Sequence, residues 1–337
     1  MATMTYAEWL PVIFIGLMGF SVLVYAILDG YDLGVGLLLP LEADKESQRD
    51  TMIASIGPFW DANETWLVLA IGLLLIAFPS AHSVVLYHLY IPASIMLVGL
   101  ILRGVAFDFR AKAAITLKGA WDKAFAIGSL ITTLSQGYML GQYVLGFDDS
   151  AAAIAFSVLS AVCVTAAYSY IGAAWLIMKT EGVLQQRSIR MARYSGWASF
   201  LGVIAVSVVN IWINPEVYSR WFNYPLVMFS ILIPALCLLS FWLNDMMLKS
   251  LPKENDRHCW VPFVLVVFIF ICNFIGLAFS FFPDIVPGQL DIWEAASATE
   301  SLGFILYGAV IVIPVILFYT VFSYRVFHGK ATSLKYY

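Results

Sequence analysis

The stretch from Trp9 to Leu28, WLPVIFIGLMGFSVLVYAIL, runs twenty residues without a charged side chain. A bilayer core about 30 Å thick takes about 20 apolar residues as one helix, so this segment is long enough to cross it. Eight more segments of the same kind follow: Asn63–Phe78, Val84–Phe107, Trp121–Leu145, Ala151–Met178, Ala192–Ile213, Trp221–Leu243, Trp260–Phe282 and Leu302–Tyr324. Composition agrees: 61% of the 337 residues are hydrophobic and 12% charged, with a mean hydropathy of +0.86. So few charges cannot coat a water-facing surface, which excludes a cytosolic enzyme, a secreted disulfide scaffold and a disordered chain. No strand alternation suggests a barrel. The expected fold is an all-α, polytopic bundle of about nine transmembrane helices, one membrane domain over 1–337.

Orientation follows from Lys and Arg. Assigned to alternate sides of nine spans, seventeen of these eighteen residues fall on one side and Arg220 alone on the other. The start is therefore expected outside and the end inside. Met1–Glu8 has no Lys or Arg before the apolar run, so no cleaved signal peptide is expected. Trp9, Trp121, Trp221, Trp260 and Trp293 fall near span boundaries, as an aromatic belt would. The net charge of −4 offers no clustered basic surface for nucleic acid. Cys163, Cys237, Cys259 and Cys272 form no CxxC pair, and no metal site is expected of them.

Ionisable residues near a bilayer need a partner, water or a function. Here they concentrate in the first third of the chain, roughly 29–110. Span one leads into Asp29-Gly30-Tyr31-Asp32-Leu33-Gly34-Val35-Gly36, span two opens Gly57-Pro58-Phe59-Trp60-Asp61-Ala62-Asn63-Glu64-Thr65-Trp66, and span three closes Leu102-Arg103-Gly104-Val105-Ala106-Phe107-Asp108-Phe109-Arg110. By the orientation above, all three lie at cytoplasmic helix ends. Asp29 and Asp32 share a helix face, as do Asp61 and Glu64. Arg103 is the expected counter-ion, since arginine stays charged in nearly any environment. Carboxylates around one arginine suit a proton path from the cytoplasm; the plainer reading is that they cap helix ends. His82, His88, His258 and His328 all lie near span boundaries, so the chain is expected to ligate no haem itself. There is no P-loop, no dinucleotide-binding glycine motif and no HExxH.

These blocks, DGYDLGVG, GPFWDANETW and LRGVAFDFR, resemble the signatures of subunit II of cytochrome bd-type quinol oxidases, including the cyanide-insensitive branch. The later LDIWEAAS at 290–297, and the last span with YRVFHGK at 324–330, are similar as well, so the resemblance runs nearly end to end. Tyr31 stands where Phe is usual, Ala62 where Gly is usual and Leu102 where Phe is frequent. The resemblance implies a nine-helix subunit paired with a larger, haem-bearing subunit I in the bacterial inner membrane. The pair would be a terminal respiratory oxidase, oxidising membrane quinol and reducing oxygen to water with protons taken from the cytoplasm. Haem b and haem d, or a b-type substitute, would belong to subunit I, and a small single-span accessory subunit is a further partner the family admits. Asp61 matches the family's proton-path aspartate, with Trp60 beside it as a wall of the path. Asp29, Asp32, Glu64, Arg103 and Asp108 are implied only as members of the adjoining polar cluster. Without the resemblance, membrane carboxylates and glycine-interrupted helices would also suit a proton-coupled secondary transporter.

Overall fold

The first apolar stretch does not stop at Leu28. In the computed structural model, α1 runs unbroken over Tyr6–Glu42 and carries the whole DGYDLGVG block inside it. At 1.5 Å per residue its 37 residues extend about 55 Å. The structure describes residues 5–42, 46–112, 115–224, 227–252 and 256–331. Lys45, Lys253 and Lys335 from the charge count, and the two extreme ends, lie outside the described residues.

After α1 come α2 (Glu46–Ile56), α3 (Trp60–Ala77), α4 (Pro79–Lys112), α5 (Ile115–Val144), α6 (Ala151–Lys179) and α7 (Gly182–Ile213). Short α8 (Pro215–Phe222) and α9 (Val227–Ser230) precede α10 (Leu232–Ser250) and α11 (Val261–Phe281). An antiparallel hairpin of β1 (Asp284–Val286) and β2 (Leu290–Asp291) leads through α12 (Ile292–Ala295) to α13 (Thr299–Val326). Among the described residues, eight helices are long and apolar enough to cross a membrane: α1, α3, α4, α6, α7, α10, α11 and α13. The fold is an all-helical membrane bundle.

Two expected segments are redrawn. Trp121–Leu145 falls, but for its last residue, in α5, which is long enough to span but too polar to stand among the eight. Its Ser129, Thr132, Thr133 and Gln142 are buried, and α5 packs against α1, α4 and α6. A helix enclosed by protein on three sides needs no all-round apolar surface. The seventh segment, expected from Trp221, begins later: Trp221 and Phe222 end α8, Asn223 and Tyr224 leave the helical path, and the spanning helix starts at Leu232.

The glycines after Asp29 serve close packing, not helix breaking. A Cβ on Gly34 would sit 1.9 Å from the carbonyl oxygen of Tyr168, and one on Gly172 would sit 2.5 Å from the carbonyl carbon of Gly34. Only glycine on both sides lets α1 and α6 touch backbone to backbone. The same device sets Arg103 in place. A Cβ on Gly128 of α5 would lie 2.8 Å from the Arg103 amide nitrogen, so that turn of α4 rests directly on α5.

Candidate functional site

Arg103 is fully buried and reaches from α4 to two other helices. Its Nη1 donates to Asp29 Oδ1 at 2.9 Å, from α1. Its Nη2 lies 3.4 Å from Glu64 Oε1, from α3. Asp29 is also fully buried, whereas the Glu64 side chain keeps 31% of its surface exposed. Glu64 is thus the member of this triad that reaches the outside.

One turn beyond Asp29, a second network surrounds Asp32. Asn63 Nδ2 donates to Asp32 Oδ2 at 2.7 Å and to the Tyr31 hydroxyl at 3.0 Å. The Tyr324 hydroxyl, from α13, donates to Asn63 Oδ1 at 3.3 Å and lies 2.5 Å from the Tyr31 hydroxyl. With Tyr31 donating to Tyr324, the three side chains close a ring in which every hydroxyl both gives and accepts. Tyr31 stacks on Trp175 with ring centres 4.1 Å apart, and Tyr324 stacks on Phe59 at 4.5 Å. Packing therefore fixes both rings.

The polar groups here are not all matched by protein. Asp29 Oδ2, Asp32 Oδ1 and Arg103 Nε are buried with no hydrogen-bond partner among the described residues. Such atoms are rare in folded proteins, and most that occur are met by ordered water. The arrangement can hold a charge, orient carboxylates and keep a few waters between helices.

The six residues expected to cluster divide into two groups. Asp29, Asp32, Glu64 and Arg103 come together, whereas Asp61 and Asp108 are exposed on the outer side of α3 and α4. Trp60 lies at the seam. Its ring centre is 5.9 Å from the Arg103 guanidinium carbon and packs against Phe107 at 5.0 Å. The sequence places all of these at helix ends; Glu64 does stand near the start of α3, but Asp29, Asp32 and Arg103 lie well inside their helices. Asp29 precedes the end of α1 by thirteen residues and Arg103 the end of α4 by nine, about 20 Å and 14 Å along the helices. The expected spans stop short because charged residues interrupt the apolar run, at Asp29 in α1 and at Asp108 in α4, before the helices end.

Sequence reasoning missed several members. The ring contribution of Tyr31 and Tyr324 depends on α1 meeting α13 across 293 positions. Gln136 of α5 donates to the Tyr25 hydroxyl at 2.6 Å and accepts from Tyr168 at 2.8 Å, extending polar contacts along the bundle. The amides and hydroxyls inside span four were the available signal. A second ionic group joins residues that no sequence spacing brings together. Arg110 bonds to Asp122 and, at 2.7 Å, to Asp50, while Arg49 pairs with Asp122 at 3.0 Å and Lys118 with Glu46 at 2.9 Å. It fastens α2 to α4 and α5.

The chain's four histidines fall near the ends of α4, α11 and α13. His82 and His88 lie in the first turns of α4, with His88 stacked on Phe147 at 4.9 Å, whereas His258 precedes α11 and His328 follows α13. No two stand opposed within the bundle. Among the described residues no group of three or more His, Cys, Asp or Glu could hold a metal ion.

The sequence profile of the family described as cytochrome bd terminal oxidase subunit II matches residues 10–327. The chain is 26% identical to the cytochrome bd-I ubiquinol oxidase subunit 2 of Escherichia coli (strain K12), covering 94% of each. It is 27% identical to the cytochrome bd ubiquinol oxidase subunit 2 of Bacillus subtilis (strain 168), covering 90% of this chain and 92% of that one. In fold it is similar to a chain of the bd oxidase from Geobacillus thermodenitrificans, with a TM-score of 0.74 at 17% identity over 94% of this chain and 98% of that chain. The chain belongs to the cytochrome bd terminal oxidase subunit II family.

Proposed function

We propose that this chain works with a larger, haem-bearing subunit I in a bacterial inner membrane as a quinol:oxygen oxidoreductase, and that its buried carboxylates line part of the proton path. The relatives are named as subunits of ubiquinol oxidases and match nearly end to end, which supports the first part. Haem b and haem d or a b-type substitute would be held by subunit I and would supply the electron transfer and oxygen chemistry; the placement of this chain's histidines near helix ends supports that division. With the start outside and the end inside, as the charge bias indicates, the polar cluster of Asp29, Asp32, Asp61, Glu64, Arg103 and Asp108 faces the cytoplasmic half.

One observation carries the proton role: Arg103 is fully buried between Asp29 and Glu64, and Glu64 alone of the three is partly exposed. Asp61 stands one helical turn before Glu64 on the same side of α3. Protons arriving at exposed Asp61 would pass to Glu64, whose position Arg103 fixes, while Asp29 balances the arginine. Asp32, held by Asn63, adds a second buried acid with one oxygen free for water. Asp108 lies on the same outer side as Asp61 and adds negative charge that draws protons there. Trp60 shields the buried pair from that surface. A transporter would need a discontinuous helix at a central site, and α1 is continuous through its glycines.

Purification from the native membrane tests the assembly. The proposal expects the chain to leave the membrane with a larger haem protein and the pair to consume oxygen when supplied with quinol. A stable, colourless chain that leaves the membrane alone and moves a solute would favour the transporter.

A further inference from the structure

Away from the carboxylate cluster, a cavity of about 370 Å³ opens between the start of α8, the loop after α5 and the β1–β2 hairpin. Its walls are fixed. Gln289 donates to the Gly146 carbonyl at 2.5 Å, Tyr143 donates to the Ile285 carbonyl at 3.0 Å, and Trp221 donates to Ser280 at 2.9 Å. Three charged residues line it: Arg220, Glu216 and Asp284. Arg220 bonds the Phe282 carbonyl through Nη1, which leaves the rest of its five-donor fork for another acceptor. Asp284 uses Oδ2 to accept from the Gly288 amide at 3.1 Å. Glu216 makes no ion pair among the described residues. A side chain of each sign therefore faces one cavity with bonding capacity to spare.

The surroundings place this cavity at the membrane surface. α8 is a short helix joining two spans, and Tyr218 and Phe222 on it are exposed, as are Trp212 and Tyr224 just before and after it. Exposed aromatic rings around an amphipathic helix are the mark of headgroup depth. The asparagine before α8 gives no side-chain cap, so the first-turn amides also remain open to an anion.

We infer that this cavity binds a phospholipid headgroup carrying both a phosphate and a primary ammonium, of the phosphatidylethanolamine class. Arg220 takes the phosphate, which a guanidinium meets with two parallel bonds. Glu216 and Asp284 take the ammonium, whose three protons need acceptors that a quaternary ammonium or a glycerol headgroup would not use in the same way. The two acids give the cavity an excess negative charge, which disfavours a purely anionic lipid.

Native mass spectrometry tests the assignment on the protein purified in the assembly in which it leaves the membrane. After detergent washing it is re-equilibrated with equal phosphatidylethanolamine and phosphatidylglycerol, and the most tightly held lipid is read. The wild type should hold phosphatidylethanolamine at least tenfold over phosphatidylglycerol. Arg220→Gln should lower that retention at least tenfold and Arg220→Lys should keep most of it. Glu216→Gln with Asp284→Asn should abolish the preference. Equal retention of the two lipids by the wild type would overturn the assignment, as would undiminished retention in Arg220→Gln.

Discussion

The hydroxyls of Tyr31 and Tyr324 lie 2.5 Å apart and join the first helix to the last. Asn63 closes the ring from α3, so three helices meet at one hydrogen-bonded point beside Asp32.

Tyr31→Phe removes the hydroxyl and leaves Tyr324 and the Asn63 amide each short of a partner. A buried group so deprived costs about 1–3 kcal/mol. The ring stacking on Trp175 survives the change. The variant should assemble, with a thermal disassembly midpoint lowered by a few degrees. An unchanged or raised midpoint would mean that the hydroxyl adds nothing to the joint.

Arg103 is more demanding. Replacing it by Met strands Asp29, a fully buried carboxylate whose ion pair is gone. Breaking one partner of a buried pair costs about 3–5 kcal/mol, whereas replacing both with apolar groups is often nearly neutral. Arg103→Met should therefore lose most of the assembled complex, and Arg103→Met with Asp29→Leu should recover a substantial part of it. Assembly yield in membranes measures both, and a double variant no better than the single one would contradict the pairing.

Much of the bundle was legible from composition because the bilayer permits few backbone solutions. Apolar runs located the spans, but their ends did not follow. The helices α1 and α4 continue past the uncharged stretches, since the charged residues inside them are held by protein, Asp29 by Arg103 and Arg110 by Asp50 and Asp122. The chain's ionic residues pointed to Arg103 as counter-ion to Asp29 and Glu64, and the structure pairs it with both. Spacing alone could not separate Asp61 from Glu64. Three residues apart on α3, they share a side, yet only Glu64 turns far enough inward to meet Arg103. Nor could any local pattern place Tyr324 against Tyr31, because that contact depends on how α13 packs on α1.

The charge bias predicts the start outside and the end inside. A reporter fused after Tyr337 should work only if it is of a kind active in the cytoplasm. One placed between Asp148 and Asp149, in the connection from α5 to α6, should behave as periplasmic. Reversed signals would reject the orientation and, with it, the side from which the carboxylates take protons.

The most direct measurement is quinol-driven oxygen consumption by an Asp61→Asn complex purified with its full haem complement. Asparagine keeps the size and hydrogen bonding of Asp61 but cannot release a proton. The account predicts turnover at least about tenfold slower, a barrier increase of roughly 1.4 kcal/mol, with part of the rate recovered in Asp61→Glu. Unchanged turnover at full haem content would contradict it and leave Asp61 a surface residue of α3.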